Sequence, residues 1–300
     1  MAALSETESG LLRAIAANPD DDTPRLVYAD WLQENAGEIP GRKRLEMNRM
    51  AEFIRQEVAA ARESDEDQQR RCQDRADHLF RLHHSRWTSP FRRTGGELEF
   101  RRGFLHRMVT LHYPHPEVEE LVERIISIPQ FAGIRELNLY NYPISDSHLG
   151  AIAVAPYLAS INSFRSCSEG IGNDGVRGLV ASPLAHQMRE LSIPYAHITD
   201  IGLDAILNSM HQLRILDISF SNLTSRSVEV MANSTDLASL DNLTISDLQR
   251  NEFVAALRVA RRGASQQHSP LPLPALRTLN LRLLPNDLVS HLSQSQDHIR

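Results

Sequence analysis

Three glycines form the stretch of this chain that comes nearest to a nucleotide-binding motif. Gly170, Gly172 and Gly175 have the G-x-G-x-x-G spacing that lets a backbone hold a pyrophosphate at a helix start. Glu190 lies near the position of the downstream acid that contacts the ribose in such sites. A later segment, which starts at Ile198, holds an equivalent place in the sequence without these glycines. We therefore interpret the three glycines as turn and helix-cap residues.

The other reactive side chains lack the spacing that catalysis or metal binding requires. The acidic run from Asp20 to Asp22 has no further spaced oxygen ligands, so we interpret it as a charged helix cap. Cys167 has no nearby base partner, and no nucleophile-elbow motif is present. The histidines that lie close in sequence lack the spacing of a zinc site; they are His83, His84, His106, His112 and His115. We predict a protein that is not an enzyme, with no catalytic residues, metal or cofactor.

Composition argues against several classes of partner. The 300 residues carry a net charge of −6, and phosphate affinity needs clustered positive charge, so we predict no nucleic acid as partner. The pairs Arg92–Arg93 and Arg101–Arg102 are mixed with acidic residues. Two cysteines are too few for a disulfide framework. With no visible signal peptide and no apolar run approaching ~20 residues, we expect a cytoplasmic protein without a membrane partner.

An apolar frame of the form L-x-x-L-x-L returns along the chain from Ile134 onward. The first copy consists of Ile134, Leu137 and Leu139, and Ile144 follows five positions later. Successive copies start 27, 27, 25, 27 and 36 residues apart, at Ile161, Met188, Leu213, Leu240 and Leu276. A fixed period in this range indicates one supersecondary element stacked on copies of itself.

Each copy has the local pattern of a strand, a turn and a helix. Period-2 alternation at the end of the frame predicts a short strand with one buried face. Apolar residues at helical spacing follow later in each copy, such as Leu203 and Ile206. Between them stands a residue type that caps helices, namely Asp146, Asn173, Asp200 and Ser225. Stacked copies would share one core, because neither element can bury its apolar side alone.

This pattern resembles a leucine-rich repeat solenoid of the longer, helix-backed kind, over roughly the C-terminal two thirds of the chain. The resemblance implies an α/β fold with a parallel sheet on a concave face and helices behind it. One feature departs from the family, whose ninth frame position carries Asn or Cys. Here that position holds Tyr142, Glu169, Ala196, Ser221, Leu248 and Leu284. The side-chain ladder that ties successive repeats in the family is therefore absent or replaced.

The segment from Asn18 to Asn35 resembles the bacterial repeat-companion domain, a short N-terminal module found ahead of repeat arrays. In that family Asp-Trp-Leu, here Asp30 to Leu32, is followed by Glu-Phe-Ile-Arg. Residues Glu52 to Arg55 match this motif after a longer insert, Ile39 to Met50. The family's His…Trp…Pro segment fits Arg81 to Pro90. The resemblance implies pairing with repeats and brings no biochemical activity with it.

We therefore predict two domains, a small all-helical module over residues 1–96 and a repeat solenoid over 97–300. In the module, Ser5 and Glu8 form a capping box before a helix that ends near Asn18. A second helix spans 25–34 and stops at Gly37, and Gly95-Gly96 predicts a turn. Two further helices over 45–62 and 68–84 are expected to bury Leu45, Phe53, Ile54, Val58, Leu79 and Leu82.

The repeat array is expected to be irregular at both ends. A strand is predicted from Phe104 to His112 with Val109 and Leu111 inward and a frame that starts at His106, followed by a helix over 117–128. At the other end, residues 261–274 predict an inserted loop, and Leu288 and Leu292 a closing helix. These ends would serve as caps, because terminal repeats must shield an open core edge.

Side chains between the buried strand positions give the candidate binding surface, because solenoids usually bind on the concave face. The fifth position holds Thr110, Asn138, Arg165, Ser192, Asp217, Thr244 and Asn280, and the third adds Glu136 and Glu190. At the seventh and eighth positions stand Tyr113, Tyr140, Tyr195 and Phe220. From these we predict partner contacts at Tyr113, Tyr140, Tyr195, Phe220, Asn138, Arg165, Glu190 and Asp217. Aromatic rings among polar groups are typical of interfaces, and the alternative is that the rings pack over the strand-to-helix turns or under the N-terminal helices.

The sequence thus favours a non-catalytic scaffold that binds a protein partner on the concave face of the repeats. The N-terminal module would cap the repeats or recruit a second partner. Two alternatives stay open. One is a specificity or adaptor subunit of a degradation or signalling assembly. The other is an unrecognised enzyme with a site in the groove between the N-terminal helices and the first repeats.

Overall fold

The computed structural model shows an α/β protein with a mostly parallel β-sheet. Contacts divide the chain into a first unit, Met1–Asn141 with Gly150–Ser163, and a second unit, Tyr142–Leu149 with Phe164–Arg300. This division differs from the predicted boundary after residue 96, which stays a prediction. The structure describes residues 4–37, 41–91, 96–110, 117–224, 226–233, 240–246 and 278–282. Within these ranges no helix is long and apolar enough to cross a membrane.

The first unit begins with four helices. They are α1 (Glu6–Ala17), α2 (Thr23–Ala36), α3 (Arg42–Arg62) and α4 (Glu66–Trp87). The bounds of α2, α3 and α4 differ from the predicted ones by two or three residues at one or both ends. The Ser5 hydroxyl accepts from the Glu8 backbone N–H at 3.1 Å, so the predicted cap of α1 is confirmed. The ends predicted at Asn18 and Gly37 are confirmed as well.

Apolar stripes on these helices form two clusters of buried residues. Ile15, Ala29 and Ile54 belong to one, and Phe53, Leu79 and Trp87 belong to the other. The rings of Phe53 and Trp87 stack with their centroids 4.8 Å apart. Burial is therefore confirmed for the predicted core positions Phe53, Ile54, Val58 and Leu79.

The burial predicted for Leu45 and Leu82 is wrong, because these side chains are 51% and 64% exposed. At about 100° per residue, Leu45 lies on the opposite side of α3 from the buried Ile54. Leu82 lies about 120° around α4 from the buried Ala76. Helical spacing predicted apolar stripes on these helices, but it did not show which stripe packs against another helix.

Residues 96–110 form a β-hairpin that the sequence analysis did not predict. Strand β1 (Gly96–Arg101) pairs antiparallel with β2 (Phe104–Thr110). The two-residue turn between them has positive φ at Arg102 (52°) and Gly103 (82°), as a type I′ hairpin turn requires. Gly96 therefore begins a strand and does not form the predicted turn, while Gly95 lies outside the described residues.

The register of β2 corrects the frame predicted for the first repeat. Strand β2 pairs in parallel with β3 (Glu136–Asn138), with Met108 opposite Leu137. Met108 and Thr110 are buried and Val109 is half-buried, so the frame starts at Leu105 and not at His106. A slip of one residue exchanges the two faces of a strand. The helix predicted next is confirmed as α5 (Val118–Ser127), whereas Leu111 and His112 lie outside the described residues.

Parallel strands and helices alternate along the rest of the chain. The strands are β4 (Ser163–Arg165), β5 (Glu190–Ser192), β6 (Ile215–Asp217), β7 (Asn242–Ser246) and β8 (Thr278–Arg282). The helices are α6 (Asp146–Val154), α7 (Asn173–Val180), α8 (Asp200–Leu207) and α9 (Arg226–Asn233). Short 3-10 helices cover Ser89–Phe91, Pro129–Gly133 and Pro183–Gln187.

Corresponding leucines of the frame meet in the parallel strands of the second unit. Leu191 pairs with Leu216, Leu216 with Leu243, and Leu243 with Leu279. The first three are buried, so their predicted inward positions are confirmed. The helical positions Val176, Leu179, Leu203 and Ile206 are buried too. The predicted loop at 261–274 and the closing helix at Leu288 and Leu292 lie outside the described residues.

The residues predicted to cap the repeat helices instead bond to the adjacent helix start. Asp146 accepts from the Gly172 N–H at 2.6 Å. Asn173 donates to the Thr199 hydroxyl at 2.9 Å and accepts from the Thr199 N–H at 3.1 Å. We name these contacts the cap bridges, together with the bonds of Thr224 to Asp200 through its N–H at 3.0 Å and its hydroxyl at 2.5 Å. Ser225, the remaining predicted cap, lies outside the described residues.

Truncation of Leu216 tests the packing of the strand core. We expect Leu216→Ala to lower the free energy of unfolding by roughly 2–5 kcal/mol, through lost contacts and a cavity. Denaturant unfolding followed by circular dichroism measures the loss. Ile215→Ala is the matched control, because Ile215 is next in the same strand and only half-buried. Equal losses for the two variants would show that Leu216 is not a core residue.

Removal of one carboxylate tests the cap bridges. Asp200→Ala deletes both acceptors of Thr224, and we expect a loss of about 1–2 kcal/mol in the free energy of unfolding. Asp204→Ala changes an exposed carboxylate of the same helix, and its effect should stay within about 0.5 kcal/mol. The cap bridge contributes nothing to stability if Asp200→Ala unfolds at the same denaturant concentration as Asp204→Ala.

Candidate functional site

The predicted contact residues fall into both units. Asn138 and Tyr140 belong to the first unit. The second unit holds Arg165, Glu190, Tyr195, Asp217 and Phe220. Tyr113 lies outside the described residues. The largest group of predicted contacts that one unit brings together is therefore the group at β4, β5 and β6.

Tyr195 and Phe220 form a stacked pair, which we name the aromatic pair. Their ring centroids are 4.5 Å apart with an interplanar angle of 18°, and both side chains are half-buried. The predicted adjacency of the two rings is thereby confirmed. It follows from the parallel pairing of β5 and β6, because each aromatic residue comes three positions after its strand ends.

The backbone of the aromatic pair is strained. Tyr195 has φ 62° and Phe220 has φ 59°, which is left-handed backbone that bulky side chains rarely adopt. Such a conformation costs of order 1–3 kcal/mol per residue. The N–H of Tyr195 donates to the Ser219 carbonyl at 2.8 Å, so main-chain bonding holds the two turns together. The strain places two half-exposed rings side by side, where a partner could cover them.

An ion pair lies on the strands beside this pair. The Arg165 guanidinium of β4 contacts the Glu190 carboxylate of β5 at 2.6 Å. The Ser166 N–H donates to the Ser192 carbonyl at 2.9 Å, which holds the two strands together. The Arg165 side chain is about half exposed, so the ion pair contributes little to stability. The Arg165 guanidinium is accessible at the surface, whereas the Glu190 side chain is only 16% exposed.

Asp217 is buried, which corrects its prediction as a contact residue. Its carboxylate accepts from the Ser219 N–H at 3.1 Å and from the Ser219 hydroxyl at 2.7 Å. Asn138 makes the same kind of turn in the first unit, where it accepts from the Tyr140 N–H at 3.0 Å. Short Asx side chains favour such turns two residues on. Thr110 is buried as well and donates to the Asn138 carbonyl at 3.1 Å.

The glycine motif at 170–175 surrounds a carboxylate of the protein itself. The Gly172 N–H at the start of α7 donates to Asp146, and a Cβ on Gly175 would lie 2.4 Å from the Asp146 Oδ1. A helix start is a favourable anion site, and here the Asp146 side chain occupies it. The glycines therefore allow close approach within the second unit, in agreement with their interpretation as turn and cap residues.

A serine–histidine contact in the second unit has a structural role. The His148 ring nitrogen lies 3.0 Å from the Ser145 hydroxyl and accepts from the Ser145 N–H at 3.2 Å. This is the reciprocal arrangement of a capping box at the start of α6. Among the described residues, no three His, Cys, Asp or Glu side chains are grouped as metal ligands would be.

A polar pocket of about 610 Å³ lies in the first unit, between the N-terminal helices and strands β1–β3. The sequence analysis named a groove there only as an alternative site and did not predict the residues that line it. The pocket opens between the loop before α2, helices α3 and α4, and the β1–β2 hairpin. Four arginines from three parts of the chain line it, Arg25, Arg101, Arg102 and Arg135, and His106 lies among them. The adjacent arginines at 101 and 102 were the only sequence signal, because the other two are far away along the chain.

One buried carboxylate faces three guanidiniums next to this pocket. Asp22 is 5% exposed and pairs with Arg62 at 2.8 Å, with Arg102 at 3.2 Å and with Arg25 at 4.0 Å. Asp22 was predicted to be part of a charged helix cap, but its side chain makes no cap hydrogen bond to α2. Its carboxylate pairs with the three arginines instead.

A comparison of the chain with known protein families found no match, and a search of characterised proteins found none. The likeness to leucine-rich repeats and to the repeat-companion domain therefore remains an expectation, based on the residues quoted for it.

Substitution of Gly175 tests the packing at the glycine motif. We expect Gly175→Ala to lower the free energy of unfolding by about 1–3 kcal/mol, because its Cβ would overlap Asp146. Gly150→Ala is the control, since Gly150 lies in α6 with nothing within 4 Å of an added Cβ. It should be neutral or stabilise the helix by up to about 1 kcal/mol. A harmless Gly175→Ala would contradict the close approach of Asp146.

Proposed function

We propose that this chain is a helix-backed leucine-rich repeat solenoid that binds a protein partner without catalysing a reaction. The partner would contact the surface that carries the aromatic pair and the Arg165–Glu190 ion pair. The observation that carries the proposal is the stacking of Tyr195 on Phe220 with both residues in left-handed backbone. We also propose the cytoplasm as the compartment.

The aromatic pair has the properties of an interface anchor. Two stacked rings are rigid, so a partner that covers them loses little side-chain entropy. Aromatic residues concentrate the binding energy of many interfaces, especially where polar groups surround them. Arg165 and Glu190 supply such polar groups on strands of the same unit. A partner with an apolar centre and groups of both charges at its edge would complement this surface.

The backbone strain supports binding more than it supports a role in packing. A left-handed aromatic residue lowers stability, and the half-exposed rings gain only part of the burial that could offset that cost. Residues kept in strained backbone are concentrated at functional sites. The enzyme alternative has the polar pocket of the first unit in its favour, but among the described residues that pocket shows no catalytic set. No observation favours an adaptor subunit.

Alanine substitutions of the aromatic pair test the proposal. The tagged wild-type chain and the Tyr195→Ala/Phe220→Ala double variant would be used to capture partners from the source organism, with quantification by mass spectrometry. The recovered partner is then titrated with each protein by calorimetry. We expect the double variant to weaken binding by at least ~1–2 kcal/mol. Its free energy of unfolding should fall less than that of Leu216→Ala, because the rings are not fully buried.

Ile201→Ala is the matched control for the loss of an exposed apolar side chain in the same unit. Ile201 is 69% exposed on α8, away from the strand ends, and its truncation should leave binding unchanged. Full-strength binding by the double variant would disprove the role of this surface. Equal weakening by Ile201→Ala would show that any loss of apolar surface reduces binding, which would also contradict a site at the aromatic pair.

A further inference from the structure

The pocket of the first unit contains a buried arginine whose bonding is incomplete. Arg25 is 4% exposed and donates to the carbonyls of Asp21 at 2.9 Å and Pro19 at 3.0 Å. Its Nε is buried without a hydrogen-bond partner. A buried charged donor without an acceptor destabilises a fold. Arg25 therefore lines the pocket with a guanidinium that an anion would satisfy.

The acidic side chains that line the pocket already have partners. Glu57 accepts from the Arg102 N–H at 2.8 Å, and Glu99 accepts from Arg101 at 2.7 Å. Glu136 pairs with Arg107 at 3.3 Å, and the exposed Asp20 lies 3.6 Å from Arg135. The Asp22 carboxylate is the acidic partner of both Arg25 and Arg102, and it also pairs with Arg62. The lining as a whole holds four arginines and four carboxylates. The Arg25–Arg102 end is the part where several guanidiniums share one carboxylate.

The hairpin turn places Arg102 at this end against its own backbone preference. Arg102 has φ 52° at a turn position where Asn, Asp or Gly is usual. The next residue, Gly103, packs so tightly on Ile54 that an added Cβ would lie 2.5 Å from that side chain. The turn is therefore fixed against α3, and a strained arginine is held at the pocket by it.

Uncharged polar groups also line the pocket. Gln69 and Gln73 come from α4, and Asn162 precedes β4. Amide side chains both donate and accept, which suits ligand hydroxyl groups. A volume of about 610 Å³ is within the range of small-molecule sites.

We propose that this pocket binds a small phosphorylated polyol, such as a sugar phosphate, with its phosphate at Arg25, Arg102 and Arg135 and its hydroxyls at the amides of α4. A phosphate offers three terminal oxygens and two charges, which matches several guanidiniums better than one carboxylate does. The proposal is independent of the partner surface in the second unit.

His106 provides a spectroscopic probe inside the pocket. Burial, and after it the charge of Arg101, lowers the pKa of His106 to about 4, with Glu99 opposing and Arg135 and Arg25 adding to the effect. A bound dianion would favour the imidazolium and raise this pKa toward its ordinary value of about 6.5. Adventitious binding elsewhere on the chain would leave the His106 resonance unchanged.

Calorimetric titration of the full chain is the test, with ribose 5-phosphate, glucose 6-phosphate and glycerol 3-phosphate as ligands. Ribose and inorganic phosphate are the controls for the two halves of the ligand. We expect one-to-one binding of at least one ester, at least tenfold tighter than ribose or inorganic phosphate. Nuclear magnetic resonance should show a raised pKa of His106 in that complex. The absence of saturation by all three esters at millimolar concentration would overturn the proposal.

Arginine variants locate the site. Arg102→Gln and Arg135→Gln should each weaken binding at least tenfold, since each removes a charge-assisted bond to phosphate. Arg62→Gln is the matched control, because Arg62 pairs with the same Asp22 carboxylate but does not line the pocket. Denaturant unfolding shows which variants fold. If Arg102→Gln does not fold, the affinity of Arg135→Gln is the deciding measurement. Unchanged affinity in the folded arginine variants, or inorganic phosphate binding as tightly as the esters, would overturn the assignment.

Discussion

The cap bridges are the interaction on which the second unit depends. A side chain at each helix start reaches the next helix start, from Asp146 to Gly172, from Asn173 to Thr199 and from Asp200 to Thr224. At the strand of each segment, the parallel pairing with the next strand fixes the register. Because each segment is bonded to the next at both its strand and its helix start, the spacing of neighbouring segments is fixed. Glycine is required at position 175, where Asp146 approaches the start of α7. In the described part of the second unit, these bridges join successive segments by side chains at the helix starts.

Much of the fold could be predicted because it depends on local pattern. Leu191, Leu216 and Leu243 were placed correctly, since the frame alone determines which face of a short strand is buried. The errors fall where another segment decides the outcome. Asp146 and Asp200 have the residue type of helix caps, but only their neighbours in space show that they bond across repeats. Strand β1 was missed because its apolar residues, Leu98 and Phe100, are only half-buried and its pairing with β2 is what stabilises it.

For the candidate sites, too, the features that follow from local pattern were predicted, and those that depend on another segment were not. The adjacency of Tyr195 and Phe220 follows from equal positions after paired strands, so period and frame were sufficient to predict it. The burial of Asp217 depends on a turn that its own side chain makes with Ser219, which residue type allows but does not require. The lining of the pocket was beyond prediction, because Arg25, Arg102 and Arg135 come together only after α2, the hairpin and β3 are packed. Charge counted along the sequence, with a net value of −6, does not show that four arginines line one pocket.

Backbone strain connects the two candidate sites. Among the residues that the structure describes, the non-glycine residues with positive φ are Arg102, Tyr195 and Phe220. The backbone strain at each of these positions would be relieved by a change to Gly or Asn, which are the residues that turn geometry alone favours there. Instead the chain keeps an arginine that lines the pocket and two aromatic rings that stack at the strand ends. The rest of the structure must offset a cost of order 1–3 kcal/mol at each position. Side chains that lower stability in this way are explained more simply by what they contact outside the fold than by what they contribute to it.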